Sequence, residues 1–220
     1  TLLSFFRRRV ERHLRGWLCG PCLAFAVSVP AVALMGRIVP LNVQFLPWNI
    51  SGEMVNVVLL ELLLLIPFLA AGATVGVALM DNPRRVSGHY AANLFGSGVG
   101  SLGTVFLMWA MNTQHLVSLM AVLGLVAGLC SLDWRRLGGW CVGLVAVTAV
   151  AILIWFAPDE PIMSQYKSLP QLRQMPGTEI VYRDSGPIGR LDVVRGEGIH
   201  YAPGLSLQFT GRIPDHSLII

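Results

Sequence analysis

Three features of this chain are of kinds that do chemistry. Cys19-Gly20-Pro21-Cys22 has the C-x-x-C form of thiol–disulfide sites, in which one thiolate attacks and the second thiol resolves. Gly98-Val99-Gly100-Ser101-Leu102-Gly103 spells G-x-G-x-x-G, the turn that brings backbone N–H groups against a dinucleotide pyrophosphate. Glu61 stands inside a long apolar run, where an ionisable residue is functional by default.

The elements around these residues decide between chemistry and packing. A dinucleotide loop follows a strand, opens a helix and has an acidic residue about twenty positions on. Here nothing before the motif alternates like a strand, and Thr104 to Ala110 continue as an apolar run without that acid. On a helix, His89, Asn93, Gly96, Gly100 and Gly103 instead fall on one stripe, a surface that another helix can approach closely. The spacing predicts that Gly96, Gly100 and Gly103 touch a second span near Gly72 and Gly76, with His89, Tyr90 and Asn93 at its cytoplasmic end. The C-x-x-C pair likewise lacks a preceding strand and opens an apolar helix after a basic segment, so small apolar residues in a packed helix are the plainer reading. Cys130 and Cys141 end two other apolar runs, which leaves a membrane thiol oxidoreductase as an alternative. For Glu61 the plainer reading is a protonated carboxyl bonded to a neighbouring helix.

Composition sets the class. Apolar residues make up 54% of the 220 and charged residues 13%, with mean hydropathy +0.63, which is a membrane protein's balance. The net charge of +4 sits in short clusters between apolar runs and not along one face, so it argues for topology signals and against nucleic acid. The pattern predicts an all-α polytopic bundle of five transmembrane helices, followed by a β-hairpin-rich segment that begins a soluble domain. Residues 1–15 form a basic amphipathic lead-in, 16–157 the helical domain, 158–177 a linker and 178–220 the start of the β-rich part. The spans run over about Trp17 to Met35, Glu53 to Met80, Ala92 to Met111, His115 to Leu132 and Gly138 to Ala157, each near the roughly 20 residues a bilayer needs. Pro30 is expected to kink the first, and Pro67 to break the second into two parts. Small-residue pairs recur at Gly124 with Gly128 and at Gly139 with Gly143. Asn49-Ile50-Ser51 matches a glycosylation sequon, in a loop too short to give it weight.

Arginines set the orientation. The lead-in (Arg7, Arg8, Arg9, Arg12, Arg15), the Arg84-Arg85 turn and the Arg135-Arg136 turn are basic, while the loops near Trp48 and Asn112 are nearly free of positive charge. This alternation puts the N-terminus in the cytoplasm and everything after Pro158 outside it, in a multi-pass protein of a bacterial inner membrane. All six tryptophans fall at or near span ends, as an interfacial belt requires.

After Pro158-Asp159-Glu160-Pro161 the composition changes. Ile162 to Met175 reads as a short surface helix interrupted by Pro170. Beyond Thr178 the period becomes two, predicting strands over Glu179 to Arg183, Arg190 to Val194 and Leu205 to Phe209, with turns at Ser185-Gly186-Pro187 and Pro203-Gly204. Three strands without a covering helix do not make a stable domain alone.

Two stretches together carry a resemblance: YAANLFGSGVGSLG after a glycine-rich span and a Pro-Arg-Arg turn, and SGPIGRLDVVRGEGIHYAPGLSLQFTG after the last span. Both resemble membrane-fused members of the spermine/spermidine synthase-like group, in which apolar helices precede an aminopropyltransferase-type domain. The resemblance spans the chain from about Pro67 onward and is one of pattern. It implies a small β-domain, with Ser185 to Val194 as its first hairpin and Ile199 to Thr210 as its second. A Rossmann-like domain would follow, binding a decarboxylated S-adenosylmethionine-type donor. Ile188-Gly189 stands where soluble relatives carry a substrate-facing Tyr-Gln pair. The donor loop and the acids that deprotonate an amine are expected beyond Ile220, so this stretch alone holds no catalytic residue, cofactor or metal. Its partners are the lipid bilayer, its own C-terminal domain and, in a homo-oligomer, a second copy. Arg190, Asp192, His200 and Tyr201 are the substrate-facing candidates, against ordinary solvent-facing hairpin positions. A non-enzymatic reading remains beside it: an anchor or transporter-like bundle, with Glu61, His89, Tyr90 and Asn93 lining a cavity.

Overall fold

A computed structural model describes residues 14–36, 38–39, 48–80, 85–135, 137–157, 167–196 and 217–219. The basic lead-in up to residue 13, His200, Tyr201 and the expected strand at Leu205 to Phe209 lie outside the described residues. Six helices follow in order: α1 (Leu14–Met35), α2 (Ile50–Leu79), α3 (Val86–Ala110), α4 (Thr113–Ser131), α5 (Leu137–Trp155) and the short α6 (Ser168–Arg173). A sheet of β1 (Glu179–Gly186), β2 (Gly189–Arg195) and β3 (Ser217–Ile219) completes the chain. The first five helices are each long and apolar enough to cross a bilayer. By contacts the chain divides into two units, Thr1–Thr104 with Thr113–Glu160, and Val105–Asn112 with Pro161–Ile220.

In the first unit α1 is the hub, packing most extensively on α4, then on α2 and α5. Its core is built of small side chains: Ala26 of α1, Ala121 and Leu125 of α4, Ala146 and Val150 of α5. Small residues let backbones approach, and in a medium as apolar as the side chains it is this van der Waals contact that drives association. The closest approach is at two glycines of α4. A Cβ on Gly124 would lie 2.7 Å from Phe25 Cδ1 and 3.3 Å from the Ala26 backbone nitrogen, and one on Gly128 would lie 2.5 Å from Leu23 Cδ2.

The small-residue stripe of α3 does not serve this purpose within the chain, which corrects the expected contact with α2. No residue of α3 is buried. A Cβ built at Gly96, Gly100, Gly103 or Gly72 would meet nothing within 4 Å, and Gly76 is half-buried. The physical reason is competition for α1: α2 turns Pro67, Ala70 and Val77 inward and is left with Gly72 on its exposed side.

Pro67 behaves differently from expectation: it is buried inside a continuous α2 and does not divide the span. Pro21 and Pro30 lie within a continuous α1. A proline costs one backbone hydrogen bond, which neighbouring helices can compensate in an apolar bundle. Asn49, the sequon asparagine, is the N-cap of α2: its Oδ1 accepts from the Gly52 backbone N–H at 3.3 Å, meeting one of the helix's orphan donors. At the other end of the bundle, Trp134 Nε1 donates to the Leu129 carbonyl and Trp140 Nε1 to the Trp134 carbonyl, each at 3.0 Å. The first satisfies a terminal carbonyl of α4. The two rings stack edge-on with centroids 5.0 Å apart, which fixes the tight α4–α5 turn.

In the second unit β1 and β2 pair antiparallel through a two-residue Pro187-Ile188 loop, with a bulge at Val181. β3 pairs on the other side of β2. Pro170 does not interrupt α6: it is the third helical residue, in the first turn where N–H groups have no intrahelical acceptor. Leu169 and Leu172 of α6 cover Val194 and Ile180, so the sheet has its helix after all.

Candidate functional site

The thiols come first. Cys19 and Cys22 are both buried and unoxidised, while Cys130 and Cys141 are exposed. Cys22 Sγ lies 3.8 Å from Thr74 Oγ1 of α2, and Thr74 Oγ1 donates to the Ala70 carbonyl at 3.0 Å. With its proton committed there, the threonine oxygen accepts and the Cys22 thiol donates, a polar stitch between α1 and α2. Cys19 borders a cavity of about 390 Å³ lined also by Ser131, Asp133 and Gly139. Cys141 borders a second, of about 550 Å³, between α1 and α5, whose lining is apolar: Leu23, Ala24, Val27, Val142, Val145, Ala146 and Ala149. Both thiols are buried in the packing of α1, Cys22 against Thr74 and Cys19 beside the smaller cavity. Among the described residues no three His, Cys, Asp or Glu side chains converge as metal ligands.

The intramembrane polar candidates are not brought together. Glu61 is exposed on α2, on the side opposite Ala70 and Thr74. Tyr90 and Asn93 are exposed on α3 and His89 is half-buried; neither of the two cavities beside the thiols is lined by any of them. α3 begins at Val86, six residues before the expected span, so His89 and Tyr90 lie on the helix. The buried acid of α2 is Glu53, in its first turn, where a carboxylate favours the positive end of the helix dipole.

The second unit holds the most developed polar cluster. Asp192, 3% exposed, is central on β2. Arg183 Nε donates to its Oδ1 at 2.7 Å from the facing position of β1, and Arg190 Nε to its Oδ2 at 2.9 Å from two residues along β2. Asp192 therefore engages both carboxylate oxygens within the hairpin, through Arg183 and Arg190. The partner that sequence reading missed is Arg183, which faces Asp192 across the hairpin; period-two alternation puts Arg190, Asp192 and Val194 on one face, and the burial of Val194 shows that face to be covered. Ser185 Oγ donates to Asn112 Oδ1 at 2.6 Å, a further contact within this unit.

Removing the carboxylate takes away the acceptor that the two arginines share. Asp192→Ala is expected to destabilise the hairpin by about 2 kcal/mol, less than for a fully buried pair because both guanidiniums reach solvent, and to speed amide exchange over residues 179–195 roughly thirty-fold. Exchange unchanged from the parent chain would return Asp192 to the role of a free functional group.

No protein-family model, curated protein or solved structure matches the chain.

Proposed function

We propose that the chain is the membrane portion of a spermidine synthase-like protein: five spans that anchor an aminopropyltransferase-type domain, of which the hairpin is the first part. The observation that carries the anchor reading is the outward face of the long helices, seen most fully on α2 and α3. Leu59, Leu62, Leu65, Phe68, Phe95, Leu102, Phe106 and Trp109 are all exposed, a surface that only a bilayer or another apolar partner covers. An antiparallel hairpin at Glu179–Arg195, with its turn at Gly186 to Gly189, supports the family reading by position and kind. The basic turns at Arg85 and Arg135 favour the cytoplasm. The contact of Ser185 with Asn112, in a loop free of positive charge, supports an extracytoplasmic hairpin.

The reading assigns the described residues to anchoring and to folding the hairpin, and it assigns donor binding and catalysis to residues beyond Ile220. Purified full-length protein is expected to bind a decarboxylated S-adenosylmethionine-type donor and to transfer an aminopropyl group to a diamine, measured by mass gain of the amine. Failure of both donor binding and transfer would refute the catalytic half and leave the anchor.

A further inference from the structure

The length of α4 sets a depth for the turn before it. Its 19 residues extend about 28 Å at 1.5 Å per residue, so it crosses a hydrocarbon layer of roughly 30 Å only with both ends at the boundary. Asn112 immediately precedes α4 and stands two residues past the end of α3, which puts it at headgroup level. Trp109, 71% exposed one turn earlier, has the place of an interfacial aromatic. Val105–Asn112 belongs to the same compact unit as the hairpin, and Ser185 Oγ donates to Asn112 Oδ1 at 2.6 Å. Ser185 lies next to the β1–β2 turn, so the turn end of the hairpin is the end held at the bilayer surface.

Resting on the membrane reading above, we propose that this turn docks on an anionic phospholipid leaflet, with Ile188 in the outer acyl layer and Arg190 on a headgroup phosphate. Among the described residues Ile188 is the most exposed large apolar side chain, at 99%. A single exposed isoleucine needs no explanation on a water-facing surface; this one is given an occupant by its place. It stands three residues from Ser185, no more than about 10 Å along an extended chain, and so within reach of the acyl boundary. Pro187 beside it has no N–H, which leaves one polar group fewer to be taken out of water.

Arg190 supplies the charge at the same level. It pairs directly with Ser185 across the strands, on the face that meets Asn112. Its Nε and Nη2 donate to Asp192 at 2.9 and 3.4 Å, and among the described residues Nη1 has no acceptor. At headgroup level the abundant acceptor is a lipid phosphate, which an arginine bonds with charge assistance. An apolar tip beside a cation is the combination by which interfacial segments bind, buried apolar area adding to attraction for anionic lipid.

The test uses the full chain in vesicles of phosphatidylethanolamine and phosphatidylglycerol whose acyl chains carry a nitroxide near the headgroup. A fluorophore is attached at Ile188→Cys, Glu179→Cys or Leu102→Cys, with the exposed thiols removed by Cys130→Ala and Cys141→Ala. Leu102, exposed on α3, reports the span, and Glu179, exposed about 20 Å from Ser185 along β1, reports the open end of the hairpin. Quenching at 188 is expected to be of the order of that at 102 and about fivefold above that at 179. Quenching at 188 no greater than at 179 would overturn the proposal. So would a label at 188 shielded from both the nitroxide and aqueous iodide, because protein would then cover the tip. With phosphatidylglycerol replaced by phosphatidylcholine, quenching at 188 is expected to fall about threefold in the parent and in Arg190→Lys, and to be low in both lipids in Arg190→Gln. The Lys variant loses the same paired contact with Asp192, so Lys and Gln behaving alike would remove the charge of Arg190 from the account. An unquenched label at 102 would refute the membrane reading and the docking with it, whereas quenching at 102 without quenching at 188 refutes the docking alone.

Discussion

Gly128→Leu is expected to separate α4 from α1 and to lower the stability of the helical unit by about 2–3 kcal/mol, the range for overpacking a well-filled contact. The new Cβ alone falls 2.5 Å from Leu23 Cδ2 and 3.4 Å from the Leu23 backbone nitrogen. The methyl groups can rotate aside, but the backbone cannot, and a leucine adds three further carbons beyond the Cβ. Helix propensity acts in the opposite direction, favouring leucine over glycine by less than about 1 kcal/mol, so the steric term decides the sign. The loss would be read as an earlier unfolding midpoint when the detergent-solubilised monomer is titrated with a denaturing detergent. Gly100→Leu is the control: in the monomer it enters open space, and its midpoint is expected to stay within about 0.5 kcal/mol of the parent or to rise. If the two substitutions exchanged these effects, α3 would be the packed helix and α4 the peripheral one.

That contrast shows where the sequence was legible and where it was not. Five apolar runs of span length are legible because the backbone in hydrocarbon has few alternatives to a helix, and the helices found are offset from the expected spans by three residues or fewer except at the start of α3. The hairpin is legible because Glu179 to Arg195 alternates around a Ser-Gly-Pro turn. Which glycines are used is a different matter. Gly72 with Gly76, Gly96 with Gly100, and Gly124 with Gly128 share one spacing. Spacing states that a helix can be approached closely, not by which neighbour. Ala26 of α1, wholly buried against Ala121 and Leu125, decides that, and it has no signature of its own in the sequence.

The hairpin cluster has a similar lesson. Read along the chain, Asp192 between Leu191 and Val193 is an ordinary outward residue. Only pairing with Arg183 across the strands and the burial of Val194 beside it turn its face inward. Leu169 and Leu172 supply that burial from a helix of six residues, whose proline reads as an interruption until its place in the first turn is known. Asn49 was legible as a modification site and serves as a helix cap, because the same short polar side chain suits both roles.

The second large effect is all-or-none and concerns sides of the membrane. α4 ends at Ser131 and α5 at Trp155, so the turn at Arg135 and the segment from Lys167 are separated by one span. Basic residues are held at the cytoplasmic end of spans, and the cost of carrying them across fixes which end that is. Both Arg135 and Lys167 are exposed, and Lys167 caps α6 without using its side chain. A cysteine at either position is therefore accessible to reagent without disturbing a contact at Lys167. The background from Cys130 and Cys141 is set by the parent chain.

The proposed topology puts five spans across a bilayer and Lys167 on the side opposite Arg135. Labelling with a membrane-impermeant maleimide tests it most directly. In intact cells Lys167→Cys is expected to label fully, and Arg135→Cys to stay at the parent level until the membrane is permeabilised. Equal labelling of the two positions before permeabilisation would contradict the account.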